Sequence, residues 1–206
     1  MKVLLVNGSP HKKGCTYTAL CEVEKELNRS DIETEIFHVG NDPIRGCMAC
    51  KKCSEIGNCV FDDAVNVALD KANRSDGFIF GSPVHYAGPS GMITSFLDRC
   101  FFSGKNVFGY KPGAAIVSCR RGGAASAFDQ LNKYFTISNM PIVSSQYWNM
   151  VHGNTPEEVL QDLEGLQTMR MLGRNMAWLL KSIEAGKKAG VPPPEKEERA
   201  WTNFIR

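Results

Sequence analysis

The sequence has little net charge and no long apolar run. Its formal charge is +2 at pH 7, and no long basic stretch is interleaved with aromatic residues, so nucleic acid is not an expected partner. No apolar run reaches the length needed to span a bilayer, and the N-terminus enters a strand pattern without a cleavable signal. These absences predict a soluble, cytoplasmic protein that binds neither nucleic acid nor membranes.

Common motifs for hydrolysis and for nucleotide binding are also absent. No Ser-His-Asp or paired-carboxylate arrangement is evident. The loop from Gly8 to Gly14 lacks the first glycine pair of the dinucleotide fingerprint, and Gly14 is followed by Cys15 and Thr16 without the lysine of a Walker loop. Hydrolysis is therefore not expected, and neither of these two phosphate loops is present.

A large apolar fraction and eight cysteines are the informative parts of the composition. With 43% hydrophobic residues, a chain of 206 residues can bury the core of one α/β domain. We expect that domain over residues 1–190, with a cysteine-rich loop at 46–60 and an extended tail at 191–206. Half of the cysteines lie in that loop, and without a signal this clustering favours metal or redox chemistry over disulfides.

Five apolar segments predict strands that alternate with helices. The first, at 2–7, is apolar at four consecutive positions, which is typical of a strand buried on both faces. The others are predicted at 32–39, towards an edge of the sheet, and at 77–81, 113–118 and 141–147. A helical tract from Pro156 to about Ala189 is expected to break or weaken at Gly165, Gly173 and Gly186. The alternation predicts a doubly wound parallel sheet with helices on both faces.

The segment from Val6 to Tyr17 joins the first strand to the first helix through a tight loop. Such a loop directs backbone N–H groups towards one point before a helix N-terminus, where an anion such as phosphate is stabilised. Ser9 and Thr16 can add hydroxyl donors, and His11 supplies positive charge with the lysines that follow it. An ordinary strand-to-helix turn would account for the same residues.

The pattern Gly-Ser-Pro-His-x-x-Gly-x-Thr in this loop resembles the FMN phosphate loop of the NADPH-dependent FMN reductase family. That family is a branch of the flavodoxin-like proteins and includes the iron-sulfur flavoproteins. The resemblance implies a five-stranded sheet in the order 2-1-3-4-5, with FMN beyond the carboxyl ends of strands one and three. It also implies FMN binding by Ser9, His11, Cys15, Thr16 and Tyr17, with the phosphate held by Ser9, Thr16 and backbone N–H groups. His11 replaces a more usual arginine, and Cys15 replaces an asparagine or serine.

Two later loops extend the resemblance. Gly-Ser-Pro-Val-His-Tyr-x-Gly, from Gly81 to Gly88, is similar to the family's flavin-ring loop. This similarity implies an apolar wall and close backbone approach to the ring, with His85 or Tyr86 facing it, and its residues are Pro83, Val84, His85, Tyr86 and Gly88.

The third loop follows the fourth predicted strand and holds Arg120, Arg121, Gly122 and Gly123. In the family this loop borders the pyrimidine edge of the flavin. Our hypothesis is that Arg120 or Arg121 raises the flavin potential or binds the phosphate of NADPH. Two solvated arginines are the alternative.

Four cysteines, Cys47, Cys50, Cys53 and Cys59, form a C-x2-C-x2-C-x5-C motif. Thiolates at this spacing can surround one four-iron cluster or one zinc ion. The motif resembles that of the iron-sulfur flavoproteins, which implies a 4Fe-4S cluster that exchanges electrons with FMN. Zinc, or no metal at all, remains an alternative reading of the same spacing.

Together these motifs predict an FMN-dependent oxidoreductase. Reduced nicotinamide, NAD(P)H, or a ferredoxin-like protein would donate electrons, and a small-molecule acceptor would take them from FMN. The C-terminal third matches the family less clearly, and we expect it to form contacts in a homodimer or homotetramer. One alternative function is an electron carrier that relays single electrons between cluster and FMN. A second is a non-catalytic domain whose cysteines hold zinc for partner binding.

Overall fold

Six strands and eight helices alternate along the part of the chain that the structure, a computed structural model, describes: residues 1–195, 197–198, 200–202 and 204. The described residues of the tail carry neither helix nor strand, and the rest of the predicted tail lies outside the described residues. The strands are β1 (Lys2–Asn7), β2 (Glu33–His38), β3 (Gly77–His85), β4 (Gly88–Pro89), β5 (Gly113–Cys119) and β6 (Met150–His152).

The helices fill the connections between the strands. Within the described residues, none of them is long and apolar enough to cross a membrane. They are α1 (Cys15–Arg29), α2 (Cys53–Ile56), α3 (Ala64–Asn73), α4 (Gly91–Ser103), α5 (Lys105–Phe108), α6 (Ala124–Ile137), α7 (Pro156–Val159) and α8 (Leu163–Lys188).

The sheet has the predicted parallel order. Its path is β2-β1-β3-β5-β6, and the two-residue β4 pairs only with the end of β3, in antiparallel orientation. Apart from β4, this is the order 2-1-3-4-5 expected for a flavodoxin-like fold, and β2 is an edge strand as predicted. The carboxyl ends of β1, β3 and β5 therefore lie at one edge of the sheet, where the predicted flavin loops begin.

Two separate hydrophobic cores cover the faces of the sheet. Leu4 and Val6 contribute to the core shared with α3, α4 and α6, whereas Val3 and Leu5 contribute to the core shared with α1 and α8. All four side chains are at most 1% exposed. The prediction that the first strand is buried on both faces is confirmed, because successive side chains of a strand point to opposite faces.

The prediction of a fifth strand over residues 141–147 is wrong. Only Ile142 forms a bridge there, opposite Gly113, and regular pairing resumes at β6, opposite the end of β5. Between these points the chain leaves the sheet, and Asn149 maintains the hydrogen bonding, since its side chain donates to the carbonyl of Ala115 over 3.1 Å. A polar side chain substitutes for strand backbone here, which apolar patterning does not reveal.

The long C-terminal helix is continuous, contrary to the predicted breaks. Residues 163–188 form α8 without interruption through all three glycines. A Cβ at Gly173 would lie 2.8 Å from the Cβ of Glu26 and 2.9 Å from the carbonyl oxygen of Val23. Gly173 therefore permits close packing of α8 on α1, because both contacts are on α1 and ordinary packing would not allow a side chain there.

Candidate functional site

The loop between β1 and α1 is shaped by the side chain of Asn7, which is fully buried at the end of β1. Its amide nitrogen donates to the carbonyl of Lys12 over 3.2 Å and to that of His11 over 3.4 Å, and its amide oxygen accepts from the N–H of Ser9 over 3.1 Å. The Ser9 hydroxyl in turn accepts from the N–H of His11 over 3.1 Å. One buried side chain thus fixes both sides of the loop.

This loop ends at the N-terminus of α1 without a side-chain cap. The N-cap is Gly14, and the first turn of α1 contains no acidic residue. The first N–H groups of a helix have no carbonyl partner within the helix, so they attract an anion. His11 is exposed beside this point. The arrangement suits a phosphate group, and phosphate binding at this loop stays a prediction.

The side chains of three predicted FMN-binding residues make contacts within the protein. Thr16 is 1% exposed, and its hydroxyl lies 2.8 Å from that of Ser118 at the end of β5. The Cys15 thiol donates to the carbonyl of Gly153 over 3.7 Å, and burial raises its pKa. The Tyr17 hydroxyl is paired with Cys21, which raises the pKa of Tyr17. For these side chains FMN binding stays a prediction, and their backbone N–H groups, in the first turn of α1, are better placed for a phosphate.

The predicted flavin-ring loop is a tight hairpin. Val84 pairs with Pro89 and His85 with Gly88, so Tyr86 and Ala87 form a two-residue turn with positive φ angles of 50° and 58°. Such turns favour glycine or asparagine, and other residues adopt them at a cost of about 1–2 kcal/mol each. Tyr86 is fully exposed at the tip, and His85 is also exposed. Either ring is free to face a ligand.

Direct contacts bring the three loops together. The Gly8 N–H donates to the carbonyl of Gly81 over 2.9 Å, and the Ser90 hydroxyl donates to the carbonyl of Gly8 over 3.0 Å, which joins the first loop to the second. A Cβ at Gly123 would lie 2.6 Å from the Cα of Ala87, which places the third loop against the hairpin. The structure therefore places all three predicted loops at one edge of the sheet.

The third loop borders a cavity that the sequence did not predict. Arg120, Arg121 and Gly122 are exposed, whereas Gly123 is half-buried under the hairpin. A cavity of about 420 Å³ lies beside this loop, and its lining includes Arg121, Gly123, Trp148, His152 and Asp162. Its size suits a small organic molecule.

The four cysteines of the motif line a second cavity, of about 20 Å³. All four are free thiols; Cys47 and Cys50 are exposed, whereas Cys53 and Cys59 are half-buried. Among the described residues, no group of three or more His, Cys, Asp or Glu side chains is arranged to hold a single metal ion. A donor set of four sulfurs suits zinc or an iron-sulfur cluster, but the cavity as it stands has room for about one water.

Sequence reasoning missed several polar residues that build these sites. Asn7 and Ser118 each follow a run of apolar residues at the end of a buried strand, and that position could have identified them. Arg99 was missed because it lies on the buried side of α4 with Phe96, where an apolar residue is expected. Arg99 is 1% exposed and lines the cysteine cavity, so a buried charge lies at this cavity.

The parallel order of the sheet and the position of the loops define the flavodoxin-like class of α/β proteins. Solved structures agree with this class: an archaeal flavodoxin superposes with a TM-score of 0.61 at 15% identity, over 88% of this chain and 99% of that one. At such low identity the similarity establishes the fold.

Sequence comparison identifies the family within that class. The profile of the NADPH-dependent FMN reductase family matches residues 1–155. An iron-sulfur flavoprotein of Methanocaldococcus jannaschii is 30% identical over 194 residues, which are 89% of this chain and 100% of the relative. An iron-sulfur flavoprotein of Archaeoglobus fulgidus is 28% identical over 174 residues, 82% of this chain and 86% of that one. The chain belongs to the NADPH-dependent FMN reductase family, as its loops predicted.

Proposed function

We propose that this oxidoreductase combines FMN at the three-loop edge with a 4Fe-4S cluster in the four-cysteine loop, and that it passes electrons from NAD(P)H to a small acceptor. The observation that carries the proposal is the single cavity lined by all four cysteines of the motif. Sequence spacing predicts that four thiolates can reach one cluster, and their common cavity supports that reading. The names of the curated relatives are consistent with it.

In the proposed flavin site, the protein binds and orients its cofactor. The α1 N-terminus and the loop fixed by Asn7 hold the phosphate, while Pro83 and Val84, both half-buried, form the wall beside the ring. FMN supplies the chemistry of hydride and single-electron transfer. Arg120 and Arg121 are the cations of the third loop, and positive charge there stabilises the reduced flavin. Gly122 and Gly123 let this loop approach closely.

In the proposed cluster site, the residues that hold the cluster are Cys47, Cys50, Cys53 and Cys59. Soft iron prefers thiolate ligands, and among the described residues no carboxylate lines the cavity to compete with them. Cys47 and Cys50 are exposed and the cavity is about 20 Å³, so the loop must rearrange for the four sulfurs to surround a cluster. We infer that the loop closes around the cluster as it binds.

NAD(P)H as donor and a small molecule as acceptor complete the proposal. The cavity beside Gly123 has a size suited to one of them, and Arg121 lies in its lining. The protein would act as a homodimer or homotetramer in the cytoplasm. A ferredoxin-like protein is the alternative donor.

Anaerobic turnover tests this function. The purified protein, loaded with FMN, should oxidise NADPH or NADH continuously when a quinone or free flavin is the acceptor. Arg120→Ala and Arg121→Ala are the matched pair, and one of them should raise the KM for NADPH or lower the flavin potential. Reduction of the bound flavin without steady turnover would instead support an electron carrier. A protein that retains no FMN on reconstitution would contradict the proposal.

A further inference from the structure

Arg99, on α4, is a charged side chain placed directly below the cysteine cavity. Only 1% of this arginine is exposed. Its guanidinium forms a two-point ion pair with Asp63, with Nη1–Oδ2 and Nη2–Oδ1 distances of 2.6 and 2.9 Å. The Asp63 side chain is 29% exposed, so this pair is only partly buried, and such a pair adds little stability compared with apolar packing.

The remaining donors of Arg99 reach the cysteine loop itself. Nε donates to the sulfur of Cys59 over 3.2 Å. Nη2 donates to the carbonyl of Phe61 over 3.3 Å, and Nη1 donates to that of Arg45 over 3.4 Å. The guanidinium also lies 4.9 Å from the centre of the Phe61 ring. One side chain therefore contacts both ends of the segment that contains all four cysteines.

Asn66 holds the same end of the loop through backbone contacts. Its amide oxygen accepts from the N–H of Cys59 over 3.0 Å, and its amide nitrogen donates to the carbonyl of Cys59 over 2.9 Å. Asn66 fixes the Cys59 backbone without a contact to its sulfur, while Arg99 contacts the sulfur directly. Variants of Asn66 and Arg99 therefore distinguish an effect on the Cys59 backbone from an effect on the Cys59 sulfur.

We propose that Arg99 is a positioning residue for the cysteine loop. Arg99 holds Cys59 in place before the cluster binds and donates a hydrogen bond to the Cys59 sulfur afterwards. The second role rests on the proposed cluster, whereas the first does not. A donor to a ligating sulfur stabilises the reduced cluster, which carries more negative charge. Arg99 is thus expected to raise the reduction potential of the cluster.

Arg99→Lys is the variant of choice, because a lysine keeps the charge and can reach Asp63 or Cys59 but not both. Arg99→Met removes both contacts. The matched control is Arg174→Met, which breaks an ion pair with the buried Glu26 on the other face of the protein. Asn66→Ala is the second control, because it loosens the backbone of Cys59 and keeps the Arg99 donor.

The first readout is amide hydrogen exchange in protein without iron. Exchange over residues 59–66 should accelerate in Arg99→Lys and stay unchanged in Arg174→Met. Unchanged exchange over 59–66 in Arg99→Lys and Arg99→Met would overturn the proposal, whatever the iron content. This experiment is done without iron, so its result does not depend on the cluster. Failure of the cluster proposal is read separately, from the iron content of the wild-type protein.

The second readout is the cluster, after anaerobic reconstitution with iron and sulfide. Loss of such an outer contact lowers metal affinity by about 10- to 100-fold, so Arg99→Met should take up less iron with its FMN content unchanged. The potential of the cluster that remains should shift to more negative values in Arg99→Met and not in Asn66→Ala. Equal potentials in wild type and Arg99→Met would overturn the role of the sulfur contact.

Discussion

The Gly8–Gly14 loop and the loop from Arg45 to Phe61, which contains the one-turn helix α2, are held in different ways. In the first, Asn7 and Ser9 are buried and hydrogen bond within the loop. In the second, Cys47 and Cys50 are exposed, and Ala49 and Lys51 adopt left-handed backbone angles, with φ of 53° and 60°. The Gly8–Gly14 loop, the proposed phosphate loop, is formed in advance, whereas the cysteine loop is fixed chiefly at its C-terminal end.

This difference suits the two redox sites that we propose for the chain. A loop formed in advance binds FMN without a large ordering cost, and its hydrogen bonds exist in the free protein. A loop that closes around metal gains its order from the metal. Helix α4 joins the two regions: its N-cap Ser90 contacts Gly8, and Arg99 lies about 13.5 Å further along the axis, given a rise of about 1.5 Å per residue.

The largest effect is expected when a cysteine ligand is removed. Cys50→Ser should reduce iron and acid-labile sulfide to background, because the cluster loses one of its four ligands, while FMN content stays at the wild-type level. Cys21→Ser, outside the motif, is the control and should keep both. Loss of FMN together with iron in Cys50→Ser would contradict the independence of the two sites.

Removal of the Asn7 side chain tests the other region, the Gly8–Gly14 loop. Asn7→Ala deletes three hydrogen bonds and leaves the Ser9 N–H without its partner, which should lower the free energy of unfolding by about 2–3 kcal/mol. FMN should also bind more weakly, with iron uptake unchanged. Urea denaturation and flavin titration measure the two effects, and the exposed Asn28→Ala serves as the control. Wild-type flavin affinity in Asn7→Ala would argue against a phosphate site there.

The limits of sequence reasoning follow the same division. The apolar run of β1 predicted burial on both faces, and the Gly, Ser and Thr pattern predicted the loop after it, because local chemistry determines both. The predicted position of the last strand was wrong because the side chain of Asn149, which precedes β6, supplies a hydrogen bond to β5 that strand backbone would otherwise make. Arg99 and Asp63 lie 36 positions apart in sequence, and only the folded structure shows that they meet below the cysteines.

The contact between the second and third loops offers a smaller test. Gly123 has a φ of 85°, and an added Cβ would lie 2.6 Å from the Cα of Ala87. Gly123→Ala should therefore lower the free energy of unfolding by about 1–3 kcal/mol and weaken FMN binding. At Gly122 no atom lies within 4 Å of an added Cβ, so Gly122→Ala is the matched control. Equal stability of the two variants would refute the packing described for Gly123.

The smallest effect is a change in stability at acid pH, where the ion pair between α1 and α8, away from both loops, is weakened. The hydrogen bond from Arg174 is the main cause that lowers the pKa of Glu26 from its ordinary value of 4.5. The ionised carboxylate therefore stabilises the fold above that value, and this contribution is lost as the pH falls through the lowered pKa. Glu26→Gln should flatten the decrease in Tm between pH 5 and pH 3. Parallel Tm profiles for Glu26→Gln and wild type would exclude this contribution.

The most direct test of a flavin site and a cluster site in one chain is a cofactor count on protein purified without oxygen. FMN, iron and acid-labile sulfide should be measured on the same sample, together with its visible spectrum. The account predicts flavin bands with a broad iron-sulfur shoulder, and about four irons per chain. Flavin bands without iron or sulfide, in protein never exposed to oxygen, would contradict the proposed cluster.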